Sequence, residues 1–233
     1  MNHLNDIPAC TECTTKNNVF CRLSHDEKQT FSFNKGHNLF KKGKVIFYEG
    51  NHPTGIYCVF EGQIKISKLG DGKEQIVRFA SKGEILGYRA LLSNEPYRAT
   101  ATAMDDCLIC HIPRISFFEV LESNKTMYLK VIEKLSGDLK NSEQRLVSIS
   151  QKTVRERIAE ALLLLKEQFG MNGNSELDIN LTRREIGDIA GVATETTIRT
   201  LSELKQDKVI EFVGKKIIIL DLPRLIEAAN LID

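Results

Sequence analysis

With 233 residues, 42% of them hydrophobic and 27% charged, this chain is long enough for one large or two ordinary domains, each with its own core. Its net charge of +1 excludes a generally basic nucleic-acid binder, so recognition of that kind requires a local motif. No run of about 18 apolar residues occurs, and the start MNHLNDIPACTEC lacks a basic region followed by an apolar one, so neither a membrane span nor a secretory leader is expected and the cytoplasm is the default compartment.

The chain opens with ACTECTTKNNVFCR, residues 9–22, which places Cys10, Cys13 and Cys21 among mostly polar neighbours with little to bury. In a reducing compartment, the six cysteines of the chain are expected to be metal-binding, redox-active or simply buried rather than disulfide staples. Residues 39–113 then read as short strands between turns. Ile56, Cys58 and Phe60 share one parity and Tyr57 and Val59 the other, and glycines recur at Gly43, Gly50, Gly62, Gly70, Gly72 and Gly83. That spacing suggests an all-β barrel or sandwich, in which Cys58 is expected to be a core residue. In MDDCLICHIPR, Cys107 and Cys110 stand three apart on one strand and so point to opposite faces.

From about Ile115 the period lengthens. Ile132, Leu135, Leu139, Ser142, Leu146 and Ile149 follow at spacings of 3, 4, 3, 4 and 3, a narrow heptad seam with one polar interruption. Such a seam predicts a helix that pairs with a second copy of itself; packing on its own barrel is the alternative. A further helix is expected over about 154–168, with Ile158, Ala161, Leu162 and Leu165 on its core face and Gly170 at its end.

The stretch LTRREIGDIAGVATETTIRTLSELKQDKVIEFVGKKIIIL predicts a helix, a tight turn, a second helix and a β-hairpin. Thr182 and Glu185 form the Thr-x-x-Glu capping box of the first helix, and Gly191 ends it. This is the helix-turn-helix layout, whose second helix enters the major groove. Ile186, Ile189, Ala190, Val192, Leu201 and Leu204 are expected to face inward, together with either Thr197 or Ile198. Thr194, Glu195 and Arg199 are left on the outward half. Arginine can donate two hydrogen bonds to guanine and glutamate can accept from the cytosine amine, while Thr182 and Thr196 are candidates for phosphate contacts. The plainer alternative is a salt bridge between Glu195 and Arg199 at i, i+4. Across residues 182–216 seven Lys and Arg face six Asp and Glu, so attraction for phosphate has to come from the placement of charge.

This order of parts resembles the CRP/FNR family of bacterial transcription regulators over nearly the whole chain, most specifically in the helix-turn-helix stretch. The resemblance implies an α+β chain: an N-terminal cysteine-containing segment (1–28), a cyclic-nucleotide-binding-like β-roll sensor domain (29–115), a long dimerisation helix (116–150) and a C-terminal winged helix-turn-helix (151–233). It implies double-stranded DNA and RNA polymerase as partners, a homodimer, and no membrane. Glu195 and Arg199 match the family's base-reading positions, which implies TGA-containing half-sites in an inverted repeat. Thr194 and Ile198 occupy the tuning positions, and Arg183 joins Thr182, Thr194, Glu195, Thr196, Ile198 and Arg199 as the implied DNA-contacting set.

The family's cyclic-nucleotide binders carry a glutamate just after a glycine and an Arg-Ser pair. Here Tyr88 follows Gly87 and Ala99 follows Arg98, so a cyclic nucleotide is not expected. The FNR branch instead holds a [4Fe–4S] cluster on three N-terminal cysteines and a fourth in the β-roll. The matching residues are Cys10, Cys13, Cys21 and Cys110, the last preceding x-Ile-Pro as in that branch. Cys13 and Cys21 enclose seven residues, a wider loop than the best-known FNR proteins carry, and closure cost grows slowly with length. In that reading oxygen, nitric oxide or redox state governs dimerisation and DNA binding. Zinc on four thiolates, metal-free thiol switching, haem or a small ligand in the β-roll, a constitutive regulator, and a tail with incidental cysteines stand beside it. An enzyme is not expected: the chain has no G-x-S-x-G, Walker A or Rossmann glycine run, and its five histidines form no closely spaced ligand pair.

Overall fold

The computed structural model describes residues 9–13, 19–20 and 23–231. The chain divides into two units, Met1–Leu139 and Lys140–Asp233. The first unit begins its regular structure with α1 (His25–Asn34), which starts at a capping box: the Ser24 hydroxyl accepts from the Glu27 N–H, and the Glu27 carboxylate accepts from the Ser24 N–H. The sequence-based expectation has no helix here, although Ser24-x-x-Glu27 is the same signal that marks the helix after Thr182.

Eight strands follow, β1 (Gly36–Phe40), β2 (Val45–Phe47), β3 (Gly55–Glu61), β4 (Ile64–Gly70), β5 (Lys73–Ala80), β6 (Ile85–Leu86), β7 (Thr100–Ala103) and β8 (Cys107–Pro113), with α2 (Tyr88–Ser93) between β6 and β7. They form two four-stranded sheets in the orders β1-β8-β3-β6 and β2-β7-β4-β5. Val59, Leu86, Cys107 and Ile109 of the first sheet meet Ile64, Ile66, Ala80, Ala101 and Ala103 of the second in one core. The other face of the first sheet, with Ile56, Cys58, Ile85, Cys110 and Ile112, is covered by helical side chains that include Phe31, Leu91, Phe117 and Met127. A sheet buried on both faces explains why β3 is apolar at both parities. Cys107 and Cys110 lie in these two different cores, as period-two geometry requires.

The polar look of residues 9–22 misleads about burial. Val19, Phe20 and Leu23 enter the helix-covered core, Phe20 meets Phe31 edge to face at 5.2 Å, and Cys10 packs against the same cluster. Three apolar residues suffice to dock the segment because the sheet face and α1 present a ready apolar surface.

The single helix expected over 116–150 is two helices, α3 (Arg114–Ser123) and α4 (Lys125–Gln151). Asn124 separates them with extended backbone, φ −113° and ψ 97°. Its Oδ1 accepts from the Met127 N–H at 2.8 Å and its Nδ2 donates to Glu27 at 2.8 Å, so one side chain starts α4 and ties it to α1. Along α4, Met127 and Val131 are buried and Leu135 is half-buried against the helix-covered core. Ile132, Leu139, Leu146 and Ile149 are exposed, with Leu139 at 62% and Leu146 at 70%.

The second unit holds α5 (Val154–Phe169), α6 (Arg183–Ala190), α7 (Thr194–Gln206), β9 (Ile210–Val213), β10 (Lys216–Ile219) and α8 (Leu222–Ala228). α5 starts at the Thr153/Glu156 capping box and buries Ile158, Ala161, Leu162 and Leu165, packing on α6, α7 and α8. The β9–β10 hairpin gains a bridge from Glu176 to Ile218.

Candidate nucleic-acid interface and metal centre

The approach of α6 to α7 is set by Gly187. A β-carbon there would stand 2.6 Å from the Val192 carbonyl oxygen and 2.7 Å from Thr197 Oγ1. The turn between the helices is closed by Gly191 at φ 65°, in the left-handed region that glycine enters without strain. Two arginines finish α6: Arg145 donates to the Ile189 carbonyl, and Arg157 donates to the Ala190 and Gly191 carbonyls at 3.2 and 3.3 Å. Cations at these orphan carbonyls complement the helix dipole.

On α7, Thr197, Thr200, Leu201 and Leu204 are buried. Thr197, not Ile198, takes the inward place: its hydroxyl donates to the Ala193 carbonyl at 3.0 Å, and its small side chain fits against Gly187. Ile198 is 48% exposed beside Thr194, Glu195 and Arg199 on the outer face, with Thr196 half-buried. Among the described residues no ion pair joins Glu195 to Arg199, so the plainer i, i+4 reading finds no support. Ala193 at the N-cap offers no side-chain acceptor, which leaves the first-turn N–H groups of α7 available to an anion.

Two other residues of the expected set have structural partners. The Thr182 hydroxyl is engaged in the capping box with Glu185. The Arg183 guanidinium lies 3.7 Å from the centre of the Phe212 ring on β9. The sequence motif contains no signal for that stacking, which depends on the hairpin folding back toward α6.

In the first unit, Tyr88 is almost fully buried, and its hydroxyl donates to the Asp138 carboxylate on α4. Lys134 stands 3.2 Å and Arg89 3.8 Å from the same carboxylate. Burial raises the Asp138 pKa, but the Tyr88 hydroxyl, Lys134 and Arg78 together outweigh it and hold the carboxyl below its usual range. Such a group contributes stability above its unfolded pKa of about 4, and that contribution is lost as pH falls through the folded value. Tyr88→Phe is expected to cost about 1.5–3 kcal/mol near neutrality, the range for a hydrogen bond to a charged group. Denaturant titrations at several pH values check this: the gap between the two proteins should narrow below about pH 4. Arg98 is solvent-exposed beside Glu95 at 3.3 Å.

Cysteines gather on the helix-covered face of the first sheet. In the register of β3 and β8, Cys58 lies directly opposite Cys110, and on the other side of β8 Cys110 lies opposite His37. Cys10 and Cys13 span a turn in which the Cys13 N–H donates to the Cys10 carbonyl at 3.4 Å, and the Cys10 N–H donates to Ser32 Oγ at 2.6 Å. Burial pushes the Cys110 thiol up to about 11, with Cys10 and Cys13 as further contributors. Burial also raises Cys58, followed by the neighbouring Cys110, Cys13 and Cys10. Of the expected metal set, Cys10, Cys13 and Cys110 are therefore neighbours, and Cys21 lies outside the described residues. Cys58, expected as core only, is a fourth neighbour that strand parity alone could not pair with Cys110. The His37 Nε2 is buried without a hydrogen-bond partner. Among the described residues no three of these donors are already drawn together as they would be around an ion. The donor set nonetheless has the chemistry of a thiophilic centre: several thiols, no carboxylate among those named, and an unsatisfied imidazole nitrogen.

Residues 38–124 match the cyclic nucleotide-binding domain, and residues 156–228 match the Crp-like helix-turn-helix domain. The chain is 30% identical over 184 residues to the transcriptional activator protein Anr of Pseudomonas protegens, covering 78% of this chain and 75% of that one. It is 27% identical over 240 residues to the transcriptional activator protein FnrL of Cereibacter sphaeroides, covering 97% and 96%. Among solved structures, FixK2 from Bradyrhizobium japonicum superposes with a TM-score of 0.74 at 26% identity, covering 83% of this chain and 96% of that one. No helix among the described residues is long and apolar enough to cross a membrane.

Proposed function

From the premise that this chain belongs to the CRP/FNR family of DNA-binding transcription regulators, we propose that it acts as a homodimer on an inverted repeat with TGA-containing half-sites and contacts RNA polymerase from there. The observation that carries the base-reading part is the outer face of α7, where Glu195 and Arg199 stand exposed one turn apart over a buried Thr197 and Leu201. Arg199 is positioned to donate to guanine and Glu195 to accept from cytosine, while the exposed Ile198 can meet a thymine methyl. Thr196 and the open N–H groups of α7 supply phosphate contacts, and Thr194 with Ile198 tunes the rest of the half-site. Arg183, stacked on Phe212, braces the hairpin against α6, and in this reading its N–H groups donate to DNA phosphates. Thr182 contributes through its cap and its place at the start of α6.

The exposed apolar stripe of Ile132, Leu139, Leu146 and Ile149, with Ser142 between them and Leu135 shared with the chain's own core, supports the dimer. A dimer that reads an inverted repeat sets its recognition helices about 34 Å apart, one turn of DNA.

Arg199→Ala and Glu195→Ala are each expected to weaken the specific site by about 1–3 kcal/mol, roughly 5- to 150-fold, and to relax the base each one reads. Fluorescence anisotropy on TGA repeats, single-base variants and random DNA checks this. Equal losses on random and specific DNA would remove the base-reading assignment.

The cysteines support control by a metal centre. In this reading Cys10, Cys13 and Cys110, with Cys21 by family resemblance, would hold a [4Fe–4S] cluster. When bound, such a cluster supplies one-electron redox chemistry at thiolate-held iron. The chain's own part is mechanical. Cys10 and Cys13 carry the N-terminal segment and Cys110 carries β8, so joint ligation ties the segment to the sheet on the face that also packs Met127 and Val131 of α4. Loss of that tie, the expected response to oxygen or nitric oxide, would shift the population between forms of α4 that pair well and poorly. Iron and acid-labile sulfide on protein purified without oxygen, with size-exclusion runs before and after air, test it. About four irons per chain and a dimer lost in air are the expected result; an iron-free protein would move control to zinc, free thiols, haem or a ligand.

A further inference from the structure

We propose that Cys58 is a metal-ligating thiol of this centre, standing with Cys10, Cys13 and Cys110. The inference rests on the metal-centre reading above and differs from it at one ligand: Cys58 takes the fourth place, which the family pattern gives to Cys21.

Sheet register brings Cys58 and Cys110 together. Arg114 N–H donates to the Thr54 carbonyl at 2.9 Å, and the pair 54/114 belongs to the same register as Ile56/Ile112 and Cys58/Cys110. Alternation along an antiparallel ladder makes every second pair a hydrogen-bonded one, so Cys58 and Cys110 are such a pair, with α-carbons about 5.5 Å apart. Directly opposed side chains project from the same face, here the helix-covered one. At a hydrogen-bonded pair the β-carbons stand near the wide end of about 4.5–5.5 Å, beyond the mean of about 3.8 Å for a disulfide. The spacing suits two sulfurs that converge on a third atom better than two that bond to each other. Both thiols are free.

The other half of the site is the C-x-x-C turn. Its Cys10 packs against the same core cluster as Cys58 and Cys110, and its backbone is pinned to Ser32 of α1. Burial raises the Cys58 thiol most, and the thiols of Cys110, Cys13 and Cys10 raise it further, as nearby like charges do. A C-x-x-C turn with Cys10 packed on the cluster that holds two strand-borne thiols supplies the donor types of a four-thiolate centre for a thiophilic ion such as zinc or iron. Each thiol that binds gives up its proton to solvent, forming a metal–sulfur bond with no change in oxidation state.

Cobalt(II) is the probe, added to the reduced, metal-free full-length protein under nitrogen. Its thiolate-to-metal charge-transfer absorbance reports the number of bound sulfurs. Wild type, Cys58→Ala, Cys58→Ser and Cys21→Ala are titrated in parallel, with circular dichroism confirming the fold. Alanine is smaller than cysteine and keeps the site foldable if serine does not. The expected result is that both Cys58 variants lose about a quarter of the charge-transfer intensity and at least tenfold in affinity. Wild-type intensity and affinity in a folded Cys58→Ala protein would overturn the assignment and leave the metal centre standing on the other cysteines, with Cys21→Ala losing cobalt instead. A wild-type protein that takes up no cobalt would overturn the centre itself, and Cys58 with it.

Discussion

Leu139→Glu is expected to convert the protein to monomers and to abolish specific DNA binding at concentrations where the wild type is saturated. Leu139 is exposed in the single chain, at the middle of the stripe formed by Ile132, Leu146 and Ile149. A two-fold interface uses the same residue twice. Losing the burial of one leucine costs about 1.5–3 kcal/mol, hence about 3–6 kcal/mol for the pair. That is two to four orders of magnitude in the dimer dissociation constant, before counting the repulsion of two carboxylates brought together in the seam. Because Leu139 is not buried within the chain, the monomer should keep its thermal stability. Sedimentation velocity with a parallel melting curve is the check. A variant that remained dimeric would show that the copies meet elsewhere.

The second large effect concerns one methyl group. In an ordinary exposed helix position Gly→Ala stabilises by about 0.8–1 kcal/mol. Gly137 on α4 has open space around the missing β-carbon, so Gly137→Ala should follow that rule. Gly187→Ala should reverse it. Its β-carbon would lie 2.6 Å from a backbone carbonyl oxygen and 2.7 Å from a hydroxyl held by its own hydrogen bond, so α7 has to move. Overpacking of this kind costs about 1–3 kcal/mol. The displaced helix is the one that carries Glu195 and Arg199, so loss of DNA binding should accompany the loss of stability. Denaturant unfolding of the two glycine variants beside wild type measures the difference in sign. A stabilised Gly187→Ala protein would show that the helices can part without cost.

The capping boxes and glycine turns of the helix-turn-helix are local chemistry, so they are legible in order: Thr182 with Glu185, Gly191 at the turn, and the hairpin beyond. The same kind of signal at Ser24 and Glu27 marks α1, yet it stands in a polar stretch whose apolar residues are few, and burial of Val19, Phe20 and Leu23 depends on a sheet assembled from distant strands. The heptad seam is legible as a period, but a period does not tell which members serve the chain's own core. Leu135 turned inward and Leu139 outward because the helix-covered face of the sheet reaches only the start of that stripe. Asn124 interrupts the expected long helix because its side chain has partners to cap, the Met127 N–H and Glu27, and one of these lies 97 positions away in sequence.

By itself, then, the amino-acid sequence determined the kinds of element, their order and the chemistry of the reading helix, since caps, turns and apolar periods act over a few residues. Tertiary structure alone decided which side chains became neighbours. Thr197 rather than Ile198 went inside because Gly187 leaves room for a small side chain and no more. Cys58 came to face Cys110 because the two strands pair in one register out of several that parity allows. Register is set by the packing of whole sheets, and the position of a thiol beside another thiol is a consequence of it.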